Sequence, residues 1–370
     1  MQGNQKKKIH FPRLYTIHSQ KGGVGKTSIA LAIAGFAAIS WKKKTLIIDA
    51  DLTGASLVDV FRYSGSKTLK YFNDLILARP DKFAKYTPVT SLASRIKTAN
   101  TIKDFCFSVP EYEDICYMPS SPCLEDISRV IPLISQEDHL HFFKTRMEDV
   151  IITALMDQFD VIIIDHPPGL FGISTSSLNI ILDQIANHDN HKGEKLSPTR
   201  LDKLCTATGI IRPNENITVQ AFLMTTPDPS DYRALLPSLS WFFKKREGLL
   251  PVVAANGGID MILNKAGTKS EGRFDSALEM NRIFEDLSEF PDSRTVDGKL
   301  ISTLRERAKK VGALACGYVA NFDMNQILAS IQYLENRKAE EFTGIVGWCR
   351  QVGRSSNLYQ DESEVALPTR

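Results

Sequence analysis

The 370-residue sequence predicts an α/β fold, a doubly wound and mostly parallel sheet flanked by helices, on three observations. The first is a pair of apolar runs that each end in an acid, "TLIID" at Thr45 to Asp49 and "DVIIIDHPPG" at 160–169. A continuous apolar run is the mark of a parallel strand buried on both faces. Its C-terminal end is where such sheets place ligands and the side chains that bind them. The second is "SQKGGVGKTS" at 19–28, a glycine turn between the largely apolar stretch Leu14 to Ile17 and the apolar stretch Ile29 to Ala38. That order reads strand, turn, helix, with the helix beginning at about Lys26. The third is the alternation of strand-like and helix-like segments from residue 13 to about residue 335. Further strands are expected within "ICYMPSSP" at 115–122, "TVQAFLMTTPD" at 218–228, "DMILNK" at 260–265 and "ALACGYVA" at 313–320.

Composition narrows the function classes. With 43% hydrophobic and 24% charged residues and a net charge of +2, the chain as a whole is not a strong polyanion binder, and any nucleic-acid contact must come from local patches. Six cysteines, at 106, 116, 123, 205, 316 and 349, form no CxxC pair and no zinc spacing, as expected of reduced thiols in a cytosolic compartment. The opening "MQGNQKKKIHF" has no apolar core of the signal-peptide kind, and the longest apolar run, about Ile29 to Trp41, is too short to span a bilayer. The expected localisation is cytoplasmic. The expected organisation is a basic arm over 1–12, a single domain over 13–352 with polar surface insertions near 187–216 and 267–294, and a flexible tail over 353–370. His188, Asp189 and His191 raise the question of a metal site, but their tight spacing in a polar stretch favours solvated side chains over ligands.

The glycine turn carries the chemistry. Gly22, Gly23 and Gly25 lack a Cβ, which lets consecutive backbone N–H groups, Val24 among them, turn around one anion. The helix N-terminus at Lys26, Thr27 and Ser28 adds its free N–H groups and the positive end of its dipole. Lys26 then reaches the β- and γ-phosphates of a nucleotide, and the Thr27 hydroxyl ligates Mg²⁺. Asp165, at the end of the second apolar run, is placed to hold the same Mg²⁺ through a water, and Pro167-Pro168-Gly169 stiffens the turn behind it. Asp49 and Asp51 close the first apolar run; a plainer role for either is to cap the next element. His166 reads as a loop histidine or as a sensor of the γ-phosphate.

The first position of the standard phosphate loop is Gln20 here, and the stretch "QKGGVGKT" instead resembles the deviant Walker A motif KGGxGK[ST] of the ParA/MinD family, closest to the ParA branch. The resemblance extends over most of the chain and implies a P-loop NTPase of the SIMIBI type with ATP and Mg²⁺ as cofactors. It implies that Lys21 crosses to the nucleotide of a partner subunit, so that ATP closes a homodimer and slow hydrolysis opens it. "IDADLTGAS" resembles the family's DxDPQG segment, with Leu52 and Thr53 in place of Pro-Gln, and puts Asp51 where the attacking water is oriented; Asp49 is a further candidate for the metal. "ILNKAG" resembles the strand whose Asn, here Asn264, contacts adenine, and "TTPDPSDYRAL" the turn capped by Ser230 or Asp231. The cysteine pattern does not suit the iron–sulfur relatives.

A ParA-like function is the positioning of cargo (plasmid or chromosome DNA, or a protein complex) on the nucleoid, with a ParB-like partner that stimulates hydrolysis. Non-specific DNA contact would then fall to Lys244, Lys245, Arg246, Arg305, Lys309 and Lys310. The alternatives are MinD-like membrane association through an apolar helix face of Phe342, Ile345, Val346, Trp348 and Val352, and a metabolic ligase on the same fold, which would generally lack Lys21.

Overall fold

The computed structural model describes residues 12–54, 70–77, 102–109, 111–134, 139–188, 198–211, 217–266, 276–289, 291–292, 294–310, 315–317, 324–336 and 344–355. The first half of the chain supplies β1 (Arg13–Ser19), α1 (Lys26–Gly35), β2 (Thr45–Asp49), α2 (Phe72–Leu77), β3 (Phe107–Val109), β4 (Tyr112–Met118), α3 (Leu124–Ile134), α4 (Leu140–Met156), β5 (Val161–Pro168) and α5 (Ile173–His188). The second half supplies α6 (Arg200–Ala207), β6 (Thr218–Thr225), α7 (Pro229–Phe243), α8 (Leu250–Asn256), β7 (Ile259–Ala266), α9 (Ser276–Ser288), α10 (Val296–Lys310), β8 (Ala315–Gly317), α11 (Met324–Glu335) and α12 (Gly344–Ser355).

The strands form one eight-stranded sheet in the order β3-β4-β2-β5-β1-β6-β7-β8. Every neighbouring pair is parallel except β3 against β4. The seven parallel strands all coincide with expected apolar runs. The antiparallel edge strand β3 was not expected, because three residues are too few to show a period. From β1 the chain moves past β5 to β2, and from β5 it returns past β1 to β6, so the order reverses beside the C-terminal end of β1. That is the crevice where doubly wound sheets bind ligands.

Alternate residues of each strand feed opposite cores. Leu14, Leu46, Ile48, Ile162, Ile164 and Leu223 pack with residues of α4, α5, α7 and α10. Tyr15, Ile17, Ile47, Ile163 and Phe222 pack on the other face with α1, α11 and α12. Helix α1 is buried from Ile29 to Gly35 because it lies between sheet and α11. A Cβ at Gly35 would come within 2.5 Å of Ile331 Cδ1 and 2.9 Å of Leu328 Cδ2, so glycine sets how closely those two helices approach.

Three further stretches add buried helical structure to this frame. The polar region 187–216 holds α6, started by a reciprocal Thr199–Asp202 cap and burying Leu201, Leu204 and Cys205. The region 267–294 holds α9, whose Met280, Ile283, Phe284 and Leu287 form a buried stripe at helical spacing. Both helices bury apolar side chains in the core on one face of the sheet. The apolar face read as a membrane contact is likewise occupied internally: Trp348, Cys349 and Val352 of α12 are buried, with Ile345 and Val346 packed beside them, while Phe342 lies outside the described residues. Among the described residues, no helix is long and apolar enough to cross a membrane.

Candidate active site

The loop from β1 to α1 is shaped by two left-handed glycines, Gly23 at φ +74° and Gly25 at φ +89°. Both conformations strongly favour a residue without a Cβ. Gly25 O accepts from Ile29 N at 3.1 Å, which starts α1 at Lys26 as expected. A Cβ on Gly25 would sit 2.2 Å from Asn264 Nδ2, so this glycine is also required by its neighbour on β7. At the other end of the loop, Ser19 O accepts from Gly169 N at 2.8 Å, joining the phosphate loop to the turn after β5. Gln20 is held from the side by Ser238 Oγ of α7, which donates to Gln20 Oε1 at 3.0 Å. Gly22 and Gly23 are exposed, Val24 is buried, and Ser28 is half-buried on the first turn of α1.

Strand register brings the acids to this loop. Asp165 pairs with Ile17 on one side and Asp49 on the other. Thr27 Oγ1 donates to Asp165 Oδ2 at 2.5 Å. The second carboxylate oxygen, Asp165 Oδ1, is buried with no hydrogen-bond partner among the described residues. Burial pushes the Asp165 carboxyl up to about 6, against the opposing pull of the Thr27 hydroxyl and of Lys26. Lys26 is itself buried, and desolvation lowers its ammonium from the ordinary value while Asp165, Asp51 and Asp49 hold it charged. A buried cation facing three carboxylates, an orphaned carboxylate oxygen beside a threonine hydroxyl and a loop of exposed glycines together suit a divalent cation and the phosphates it accompanies.

The two acids after β2 divide. Asp49 is fully buried, and its Oδ1 accepts from Asp51 N at 3.0 Å, the capping role the sequence left open for it. Asp51 is half-buried at the rim, and its Oδ1 accepts from Thr53 N at 3.1 Å and Thr53 Oγ1 at 2.8 Å. The departure to Leu52-Thr53 therefore has a structural use: Leu52 is buried and Thr53 holds Asp51.

Lys21 lies at the edge of the site, donating to Ser230 Oγ at 2.6 Å, with Asp231 Oδ1 at 3.4 Å. Ser230 and Asp231 are thus partners of Lys21, and the cap of α7 is Asp228, whose Oδ1 accepts from Ser230 N at 2.8 Å. Asn264 is buried against the loop: its Nδ2 donates to Val24 O at 2.8 Å and its Oδ1 accepts from Trp348 Nε1 at 3.2 Å. His166 is a strand residue of β5, not a loop residue. It is 1% exposed, its ring stacks 4.4 Å from that of His18, and neither of its nitrogens has a partner among the described residues. His18 bonds Ser174 and Thr16 and is pushed down to about 3 by burial and by Lys26, so it is neutral. Nothing in the sequence pointed to the stacking of His18 on His166 or to Trp348 as a partner of Asn264.

The basic candidates lie apart from this site. Lys244, Lys245 and Lys309 are exposed; Arg246 is bonded to Asn179 and stacks over Phe242, and Arg305 is half-buried. The side chains of Lys310 and His188, and all of Asp189 and His191, lie outside the described residues.

A family model described as an AAA domain matches residues 13–186, the segment that carries the glycine loop, Asp51 and Asp165. No curated protein sequence matches the chain. Among solved structures, the chain is similar to an ATP complex of McdA from Cyanothece, at 14% identity and a TM-score of 0.47 over 95% of this chain and 98% of that one. It is similar to the cell division ATPase MinD of Pyrococcus furiosus at 18% identity and a TM-score of 0.39, over 80% and 99% of the two chains. A plasmid partition protein of Borrelia burgdorferi bound to AMPPNP shares 16% identity at a TM-score of 0.42, over 94% and 98%. Over residues 13–186 the chain is thus similar to a family model described as an AAA domain, and that segment carries the glycine loop and its Thr27–Asp165 bond.

Proposed function

We propose that the protein is a ParA-type switch ATPase that binds ATP with Mg²⁺, dimerises in the ATP-bound state and positions cargo, whether DNA or a protein complex. The observation that carries this reading is the buried Lys26 set among Asp165, Asp51 and Asp49 beneath a glycine loop, with the Thr27–Asp165 bond beside it. Bound Mg²⁺ and ATP would supply the reactive phosphoanhydride and part of its counter-charge. The N–H groups of Gly22 to Gly25 bind phosphate oxygens, and Lys26 neutralises the charge that grows in transfer. Thr27 and Asp165 hold the cation, and Asp51 orients the attacking water. Lys21, half-buried at the rim with Ser230 and Asp231 as its side-chain partners among the described residues, can exchange them for a phosphate of a second subunit. Lys244 and Lys245, beside the exposed Trp241, and Lys309 are the side chains available for sequence-independent DNA contact.

The test is sedimentation of Asp51→Ala, chosen to block hydrolysis, with Mg-ATP and with Mg-ADP. A dimer in ATP and a monomer in ADP is expected, with Lys21→Ala monomeric in both. Equal mass in both nucleotides would refute the switch. Lys26→Ala should weaken nucleotide binding itself, and unchanged affinity would refute the site. Retention of non-specific DNA in a gel only with ATP would support the ParA reading over the others.

A further inference from the structure

We infer that Trp348, on α12, is a positioning residue for the phosphate loop: through Asn264 it fixes the peptide between Val24 and Gly25, and so aims the Gly25 N–H at a bound phosphate whatever base the nucleotide carries. The inference rests on the reading of the glycine loop as a phosphate site.

A trans peptide is planar, and its C=O and N–H point in opposite directions. Pinning one end therefore aims the other. Val24 O accepts from Asn264 Nδ2 at 2.8 Å, which turns this carbonyl toward β7. The Gly25 N–H, on the same peptide, then points away from Asn264, and among the described residues no hydrogen bond uses it. Two further features hold the peptide this way. The Val24 side chain is buried in the core on the α1 face of the sheet. Gly25, at φ +89°, lies so close to the amide that a Cβ would sit 2.2 Å from Asn264 Nδ2.

Asn264 does not hold the carbonyl alone. A carboxamide bonded at one atom turns about that bond, whereas one bonded at both ends has its plane set. Its Oδ1 accepts from Trp348 Nε1 at 3.2 Å. A carbonyl only accepts and an indole N–H only donates, so the flipped amide is excluded at both ends. Asn264 is 3% exposed and Trp348 2% exposed, so water does not substitute freely for either partner. The brace thus runs from α12 through β7 to the loop, with its anchor on a helix outside the matched 13–186 segment. Loosening the Trp348 end frees the amide, the amide frees the Val24 carbonyl, and the Gly25 N–H loses its aim. Backbone N–H groups of such a loop meet phosphate and not base, so the loss is common to every triphosphate.

The experiment is equilibrium binding, with Mg²⁺, of mant-ATP, mant-GTP and inorganic tripolyphosphate to wild type, Trp348→Phe and Val352→Ala, tripolyphosphate being read by displacement of mant-ATP. Trp348→Phe removes the N–H and keeps an aromatic ring. Val352 is buried on the same helix, so its truncation loosens the packing of α12 and leaves both hydrogen bonds in place. In Trp348→Phe all three affinities are expected to fall by one common factor, roughly threefold to tenfold, the range of one neutral hydrogen bond, while Val352→Ala changes each by less than about twofold. A loss confined to mant-ATP would put the contact on the base, and unchanged affinities, or an equal loss in Val352→Ala, would separate Trp348 from the loop; each of these overturns the inference. If Trp348→Phe does not fold, the indole ¹H–¹⁵N resonance of Trp348 in the wild type, assigned with Trp41→Phe and Trp241→Phe, replaces it. A shift on adding Mg-tripolyphosphate, which carries no base, is expected, and no shift overturns the inference. Failure of the wild type to bind either mant-ATP or tripolyphosphate would instead refute the phosphate-site reading, and the inference with it.

Discussion

Replacing Asp165 by Asn should stabilise the nucleotide-free protein at neutral pH and destroy the site it belongs to. The carboxyl is held at about 6 instead of its ordinary 3.8, because complete burial outweighs the Thr27 bond and the Lys26 charge. The difference, about 6 less 3.8, is about 2 pH units, or about 3 kcal/mol at 1.36 kcal/mol per unit. For an acid whose folded value is raised, the contribution to stability is fully present below 3.8 and is lost as pH rises through about 6. Asparagine carries no charge, retains an oxygen to accept from Thr27, and has no such dependence. Urea denaturation of both proteins in EDTA between pH 4 and pH 7.5 should show wild type losing about 2 kcal/mol relative to Asp165→Asn across that range, the rest having been lost below pH 4. Mg-ATP should then raise the midpoint of wild type and leave the variant's unchanged. A difference between the two proteins that is flat with pH, or that favours wild type as pH rises, would refute the assignment of a desolvated carboxylate awaiting a cation.

Asp51→Ala should bind and dimerise with ATP yet lose roughly 10²- to 10³-fold in single-turnover hydrolysis, the scale for one proton-handling group; normal turnover would pass the role to Asp49 or the turn after β5. Gly25→Ala combines a left-handed backbone with a Cβ 2.2 Å from Asn264 Nδ2, so it should cost about 2–4 kcal/mol by chemical denaturation and abolish mant-ATP binding. Arg307→Met leaves Asp260 buried after losing its bidentate partner at 2.9 and 3.3 Å, with Gln220 its one remaining side-chain donor among the described residues, and should lower stability by about 3–5 kcal/mol without changing nucleotide affinity.

Much of the fold was legible because its signals are local. "TLIID" and "DVIIIDHPP" are apolar throughout since β2 and β5 are buried on both faces, and both strands end at or near the acids that mark the site. The phosphate loop was legible for a similar reason: left-handed backbone at Gly23 and Gly25 is a property of a few consecutive residues, as is the start of α1 at Lys26. What the sequence alone could not decide were pairings between segments far apart in the chain. Helical spacing marked an apolar face on 345–352 but not its cover, and the structure covers it with α1, α11 and β8 instead of a membrane. The position of Asn264 after an apolar run could be read, but its bond to Val24, 240 residues away, depends on β6 and β7 being added beside β1. Lys21 could be named from its motif, yet its partners Ser230 and Asp231 come from the start of α7, 209 and 210 positions later. His18 and His166 meet because β1 and β5 are neighbours in register, a consequence of strand order. Periodicity and turn chemistry determine which segments become strands, helices and loops; the order in which the strands assemble determines which side chains converge, and no local pattern encodes that order.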